Sequence, residues 1–257
     1  MGLPGSLVDL AGRRALVSGG SRGIGRACVA LLAAAGAEVH FCARRPEGVA
    51  AAESELRAAG LRVTGTACDV GDRTALAAWV AGAVADGLDI AVGNAGANPA
   101  FGPLADLTDA ALDRTLTVNL RANLWLAQAA LPHMADRDAS LVIVSSISAL
   151  RGEAGLGAYG LAKAADLQLV RTLAAEWGHR GVRVNAVLPG LVRTGFSRLL
   201  WQDDAAAETV RRRTALGRLV TVDEVAAVVL GLCGPLGRCL TGQAIVCDNG
   251  ETAVLGG

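Results

Sequence analysis

A chain of 257 residues that is 52% hydrophobic and 19% charged carries enough apolar surface for one substantial core, which excludes a disordered chain. Its formal net charge is zero, and apart from Arg211 to Arg213 it has no basic block and no interleaved aromatics, so a nucleic-acid partner is not indicated. The N-terminus lacks a basic start followed by a long apolar run, and no apolar stretch reaches membrane-spanning length, so the expectation is a soluble, cytoplasmic protein with no membrane partner.

Read from the N-terminus, short apolar runs alternate with longer Ala/Leu-rich segments. The expected strands are residues 14–19, 38–43, 62–68, 90–95, 140–146, 183–189 and 244–248, each a continuous apolar run of the kind that suits a strand covered on both faces. Helices are expected between them, the first two ending at Gly36 and Gly60, a third over 73–84, and two long ones over 108–134 and 157–177. Repeated strand and helix units in one chain imply an α/β single domain, with a doubly wound parallel sheet of seven strands and right-handed crossovers. No linker or internal repeat divides it. The six Cys form no CxxC pair and read as reduced small side chains rather than a disulfide frame or a metal site.

Directly after the first strand comes SGGSRGIG, residues 18–25, leading into a helix. Glycines at 19, 23 and 25 permit a tight turn and let a pyrophosphate approach amides at a helix N-terminus, where the dipole favours negative charge. The second strand ends at Ala43 followed by Arg44, where an NAD-binding chain would place an acid for the ribose hydroxyls. With Arg22 in the glycine loop, Arg44 offers guanidiniums to a 2′-phosphate, and NADP(H) is expected over NAD(H). Solvation of an ordinary turn is the plainer reading of Arg44 and Arg45.

Tyr159 and Lys163 are the chain's one Tyr and its one Lys. Four residues apart on a helix, they share a face. A phenol titrates near about pH 10, and a neighbouring ammonium favours its ionised form, which brings it toward useful acid/base range.

With these pieces the chain resembles the classical short-chain dehydrogenase/reductase family over essentially its whole length. The family's TGxxxGxG appears with Ser18 for Thr and carries Gly19, Ser21, Arg22, Gly23, Ile24 and Gly25. Its adenine-contacting Asp matches Asp69, followed by Val70; its NNAG turn appears as GNAG, with Gly93 for Asn and Asn94, Ala95 and Gly96 retained. The family's helix Asn matches Asn119, its Ser matches Ser146, YxxxK is Tyr159 and Lys163, and the nicotinamide-side motif supplies Pro189, Gly190, Val192 and Thr194.

The resemblance implies a Rossmann fold in which residues of about 10–135 hold the cofactor, about 136–257 carry catalysis and substrate, and about 191–215 form a lid. It implies that Tyr159 is a general acid in carbonyl reduction and the base in reverse, and that Lys163 lowers the Tyr pKa and holds the nicotinamide ribose. Ser146 would bond the substrate oxygen, with Ser145 and Ser148 as competitors, and Asn119 would hold a relay water or, more plainly, be a helix polar residue bonded locally. Losing a side chain at Gly93 puts one stabilising hydrogen bond in doubt.

The expected substrate pocket comprises Phe101, Ser148, Leu150, Leu156, Phe196, Leu200 and Trp201, an apolar set suited to a hydrophobic ketone or aldehyde. The segments ANPAFG and GLVRTGFSRLLWQD resemble the subgroup of NADPH-dependent carbonyl and retinol reductases. A 3-oxoacyl-thioester reductase and a non-catalytic dinucleotide-binding regulator are the other readings. Arg211 to Arg213 reads either as a solvated helix face or as a site for the phosphate of a carrier. The terminal VLGG is not a peroxisomal address. By resemblance, the long helices are the interface of a homotetramer or homodimer.

Overall fold

The computed structural model describes residues 8–84, 87–97, 101–195 and 204–254. Within them the chain runs β1 (Arg14–Ser18), α1 (Gly23–Ala34), β2 (Glu38–Ala43), α2 (Pro46–Ala58), β3 (Val63–Ala67), α3 (Arg73–Ala83), β4 (Ile90–Gly93) and α4 (Asp109–Leu116). It continues with α5 (Ala122–Met134), β5 (Ala139–Val144), α6 (Gly157–Trp177), β6 (Val182–Pro189), α7 (Asp204–Arg213), α8 (Val222–Cys233) and β7 (Ala244–Cys247). The described residues form a seven-stranded sheet in the order β3-β2-β1-β4-β5-β6-β7. Every strand pair in it is parallel.

Each expected strand is present, within two residues at either end. Side-chain alternation sends successive residues of each strand to opposite faces, so the central strands β1, β4, β5 and β6 are mostly apolar and covered on both, whereas the edge strands β3 and β7, expected to be covered likewise, are largely not. Leu16 of β1, Leu141 and Ile143 of β5, and Val184 of β6 enter a core with α3, α5 and α6. Ala15, Val17, Phe41, Val142 and Val144 enter the other, with α1, α2 and α8. Each fully buried Leu, Ile or Phe contributes about 1.5–3 kcal/mol relative to exposure.

Local signals fix the helix ends. Gly36 and Gly60 terminate α1 and α2 at φ 104° and 79°, values that a side chain disfavours. Helix α8 begins with a capping box between Thr221 and Glu224. The apolar run inside it was legible as too short and broken to span a membrane, but its T-x-x-E start also announces a helix.

One expectation is corrected here. The segment 108–134 is not a single α-helix: α4 and α5 are joined by a π-helical turn, Thr117–Arg121, with Asn119 buried at its middle. One extra residue per turn widens the helix locally and turns Asn119 toward the loop after β4, a pattern often found at functional sites. No helix among the described residues is long and apolar enough to cross a membrane.

Candidate active site

Strand order reverses between β1 and β4, and in such sheets ligands bind beyond the carboxyl ends of the strands at that point. The loops leaving β1, β2, β3, β4, β5 and β6 carry nearly every residue singled out above. Glycine 19 and glycine 23 adopt φ 70° and 57°. A Cβ on Gly25 would fall onto the Gly19 carbonyl oxygen, and one on Gly19 would lie 2.9 Å from Ala95 Cα. Helix α1 starts at this turn with Arg22 as its first flanking residue, no side-chain cap and no acid in its first turn. Its leading amides are therefore suited to an anion, and the cradle fits the pyrophosphate of a dinucleotide.

Ser18 stands where the resemblance has Thr, and its hydroxyl does the bonding needed there. The oxygen accepts from the amides of Asn94 at 3.0 Å and Ala95 at 3.1 Å, fastening the loop after β4 to β1. Asn94 donates back to the Ser18 and Gly19 carbonyls at 3.0 and 3.2 Å. Gly23 brings Thr194 into the cradle, since its Cβ would lie 3.3 Å from Thr194 Cγ2. Ile24 packs against the α1 side of the core, and Ser21 lies beside the start of α2, near Gly48.

At the next two strand ends, Arg22 and Arg44 are exposed, and Asp69 accepts from the Gly71 amide at 2.9 Å while Val70 is buried beside it. Pro189 ends β6 in register with Cys247, and Gly190 packs against Asp248 with its Cβ position 3.0 Å from that residue's Cα. Val192 is buried and bridges to Val220.

Of the four residues expected to carry chemistry, Ser146, Tyr159 and Lys163 meet beyond β5, and Asn119 reaches them only through Asn123 and Asp166. Lys163 lies with its Nζ 5.8 Å from the centre of the Tyr159 ring. The same ammonium donates to the Val144 carbonyl at 3.0 Å and to Asp166 Oδ2 at 3.2 Å. Ser146 caps a short 3-10 turn, Ile147–Ala149, accepting from the Ser148 amide at 3.1 Å. Its hydroxyl also bonds Ser148 Oγ at 3.2 Å, and Ser148 bonds Glu153 at 2.7 Å. Of its competitors, Ser145 is spent on the Lys163 carbonyl at 3.0 Å, which leaves Ser146 as the serine hydrogen-bonded to Tyr159.

Asn119 has its side chain fully engaged. Nδ2 donates to the carbonyls of Ala97 at 2.6 Å and Thr115 at 2.9 Å, and Oδ1 accepts from the Ala97 amide at 3.1 Å. Its own carbonyl accepts from Asn123 Nδ2 at 3.0 Å. Geometry thus gives it the fastening role at the centre of the π turn, with Gly96 passing beside it: a Cβ there would be 3.1 Å from Asn119 Oδ1.

The Lys163 ammonium acts on the Tyr159 phenol in the expected, downward direction, but it does not set the net direction. Burial pushes the phenol up, the Lys163 ammonium and Ser146 act in the opposite direction, and the carboxylates of Asp166 and Glu153 oppose those, so the net direction is upward. The largest cause is burial of the phenol itself, and the lysine that opposes it is not alone. Burial alone would lower the Lys163 pKa, but Asp166 and the phenol outweigh it and raise it, which fixes the ammonium in an ion pair.

Several participants escaped the sequence reading. Asp166 and Asn123 are buried polar residues, on α6 and α5, and bond each other at 3.0 Å. Asp166 is three residues beyond Lys163 on one helix, a spacing that could have flagged it. Glu153 pairs with Arg151 at 3.0 Å, and Arg151 also pairs with Glu251, one hundred residues away. Among the described residues Glu251 Oε2 is buried without a hydrogen-bond partner, 3.4 Å from the Cβ position of Gly190. Nothing in the sequence signals that pairing.

A cavity of about 210 Å³ lies between the loop before α4 and the start of α6, lined by Phe101, Leu104, Leu107, Thr108, Ala111, Gly155 and Ala158 among others. Phe101 therefore falls in it, whereas Leu150, at the end of the 3-10 turn, is half exposed and outside it. Ser148 is buried in the hydrogen-bond chain and Leu156 precedes α6. Phe196, Leu200 and Trp201 lie outside the described residues. Arg211 and Arg212 pair with Glu208 on α7 at 2.9 and 3.2 Å, as a solvated helix face would.

A family profile described as enoyl-(acyl carrier protein) reductase matches residues 19–252. The "Dehydrogenase/reductase SDR family member 4" of Pongo abelii is 40% identical over 249 residues, 96% of this chain and 90% of the relative. A short-chain dehydrogenase from Burkholderia cenocepacia, solved in complex with NADP, superposes with a TM-score of 0.88 at 38% identity, covering 95% of this chain and 99% of that one. A dehydrogenase/reductase from Sinorhizobium meliloti gives 0.90 at 34% identity, covering 96% and 98%.

Proposed function

The chain belongs to the short-chain dehydrogenase/reductase family of oxidoreductases, and on that premise we propose that it reduces a hydrophobic ketone or aldehyde to an alcohol, reversibly, with NADPH as the favoured cofactor. The observation that carries this reading is the meeting of Tyr159, Ser146 and Lys163 beside the glycine cradle, with Asn119 fastening the intervening loop.

A dinucleotide held there would supply the hydride that the carbonyl carbon receives. Tyr159 donates its phenolic proton to the carbonyl oxygen, and Ser146, bonded to that phenol, orients the oxygen and stabilises the charge that develops on it. Lys163 keeps a positive charge below the ring and, from the family resemblance, holds the nicotinamide ribose. Gly19, Ser21, Gly23, Ile24 and Gly25 would hold the pyrophosphate, Asp69 and Val70 the adenine, and Arg22 and Arg44 a 2′-phosphate. Asn94, Ala95, Gly96, Pro189, Gly190, Val192 and Thr194 line the remaining path to the nicotinamide. This divides the domain into a cofactor half of about 10–135 and a catalytic half of about 136–257 with a lid of about 191–215.

Phe101, Leu104, Leu107 and Ala111 in the lining of the cavity next to α6, beside Asp106 and Thr108, support a hydrophobic carbonyl. A 3-oxoacyl-thioester substrate is the second reading, favoured by the carrier-protein wording of the matching family profile. We further place the protein in the cytoplasm as a homotetramer or homodimer through α4, α5 and α6, which sedimentation tests.

The deciding experiment follows oxidation of NADPH and of NADH with a panel of hydrophobic ketones, diketones, aldehydes and acetoacetyl thioesters. Turnover of free carbonyls with NADPH supports the proposal. Turnover of thioesters alone moves the protein to acyl-chain chemistry, and cofactor binding without any turnover contradicts an enzymatic role for the site.

A further inference from the structure

Lys163 and Asp166 form a buried ion pair, with the carboxylate entirely out of solvent and the ammonium nearly so. A buried pair of this kind costs desolvation and is poor evidence of stabilisation, so its presence beside a reacting phenol calls for another reason. The pair is also built with care. Asp166 Oδ1 accepts from Asn123 Nδ2 at 3.0 Å, and Asn123 is itself positioned by the Asn119 carbonyl at 3.0 Å, inside the widened π turn. Gly93 makes room for it, since a Cβ there would come within 2.7 Å of Asn123 Oδ1. A side chain where the glycine departs from the NNAG turn would therefore meet the amide that carries Asp166.

We propose that Asp166 is a positioning residue that biases this site toward carbonyl reduction: it pins the Lys163 ammonium and balances its charge, so that Tyr159 keeps the proton it must donate. The proposal rests on the reading of Tyr159 as proton donor. Reduction needs the phenol and alcohol oxidation needs the phenolate, so the charge beside the ring sets which direction is ready at neutral pH. The groups that face the trio are few. Helix α6 supplies Tyr159, Lys163 and Asp166; α5 supplies Asn123; the end of β5 supplies the Val144 carbonyl, with Ser145 and Ser146 after it; and Glu153 faces from the following loop. Of these only Glu153 adds a further charge, and it acts in the same direction as Asp166.

Because Tyr159 is the chain's single tyrosine, tyrosinate absorbance in the ultraviolet titrates it directly, without turnover. Asp166→Asn keeps the shape and removes the charge. The expected result is a midpoint lowered by about one pH unit, with alcohol oxidation at neutral pH raised about tenfold. The double variant Lys163→Gln with Asp166→Asn separates charge from packing: the lowering must disappear in it, because no ammonium is left to unmask. A midpoint unchanged or raised in Asp166→Asn, or a lowering that persists in the double variant, overturns the proposal. If the titration behaves as expected but the wild type turns over no carbonyl, the charge relationship stands and the catalytic reading of Tyr159 fails instead.

Discussion

Asn119 clasps the backbone of Ala97 from both sides, giving a hydrogen bond to its carbonyl at 2.6 Å and taking one from its amide at 3.1 Å. The π turn aims the side chain, and the clasp holds Ala97 in the segment that follows β4. Replacing Asn119 by Leu leaves both groups of Ala97 and the Thr115 carbonyl without this partner. An unsatisfied buried group costs about 1–3 kcal/mol; the Thr115 carbonyl is buried and Ala97 half-buried, so a loss of about 1–3 kcal/mol is expected in urea unfolding, together with reduced turnover. A variant as stable as wild type would show that the clasp is replaceable.

The glycine cradle is tested by a pair of substitutions. Gly25→Ala drives a methyl group onto the Gly19 carbonyl and toward Asn94, and cofactor affinity measured by fluorescence titration is expected to fall at least about tenfold. Gly82→Ala, in α3 with nothing within 4 Å of its Cβ position, serves as the control. It should leave affinity unchanged and stabilise the fold by about 0.4–1 kcal/mol.

Cofactor choice is placed on Arg44 at the end of β2. A charge-assisted hydrogen bond contributes about 1.5–3 kcal/mol, so Arg44→Ala is expected to weaken NADPH binding by roughly ten- to hundredfold while NADH binding barely changes. Dissociation constants for both cofactors check this, and equal losses would remove Arg44 from the role.

Helix α8 depends on the Thr221 and Glu224 capping box, with Arg218 donating to Glu224 at 2.6 Å. Thr221→Ala is expected to cost about 1 kcal/mol in thermal or urea unfolding. Arg218 and the cap hold the Glu224 pKa down to about 2, below its ordinary value of 4.5. A depressed carboxylate contributes stability that is present above the unfolded value and lost as pH falls through the folded one. The contribution should therefore fade between about pH 4.5 and about pH 2, and Glu224→Gln should flatten the acid limb of a stability profile over that window. An unchanged acid limb would assign the sensitivity elsewhere.

Much of this was legible in the sequence, for physical reasons. Strands buried on both faces leave continuous apolar runs, glycines mark the turns that need positive φ, and a Tyr and a Lys four apart on a helix must share a face. What was hidden has equally physical causes. A π turn adds one residue without changing composition, so 117–121 looks like uninterrupted helix. Charges are ordinarily read as surface, which concealed Asp166, and burial of the Tyr159 phenol, which sets the net upward direction there, follows from packing. Glu251 meets Arg151 only through the folded sheet, and the shape of the cavity beside α4 follows from loop packing that periodicity does not encode.

The most direct test of the account is Tyr159→Phe, assayed with NADPH and a hydrophobic ketone that the wild type reduces, alongside NADPH affinity by fluorescence. The substitution removes one hydroxyl, and loss of a positioned general acid lowers turnover by about 10²–10⁴-fold. The account predicts that loss with NADPH affinity intact. Turnover within a few-fold of wild type would contradict it and place the proton donor on another group.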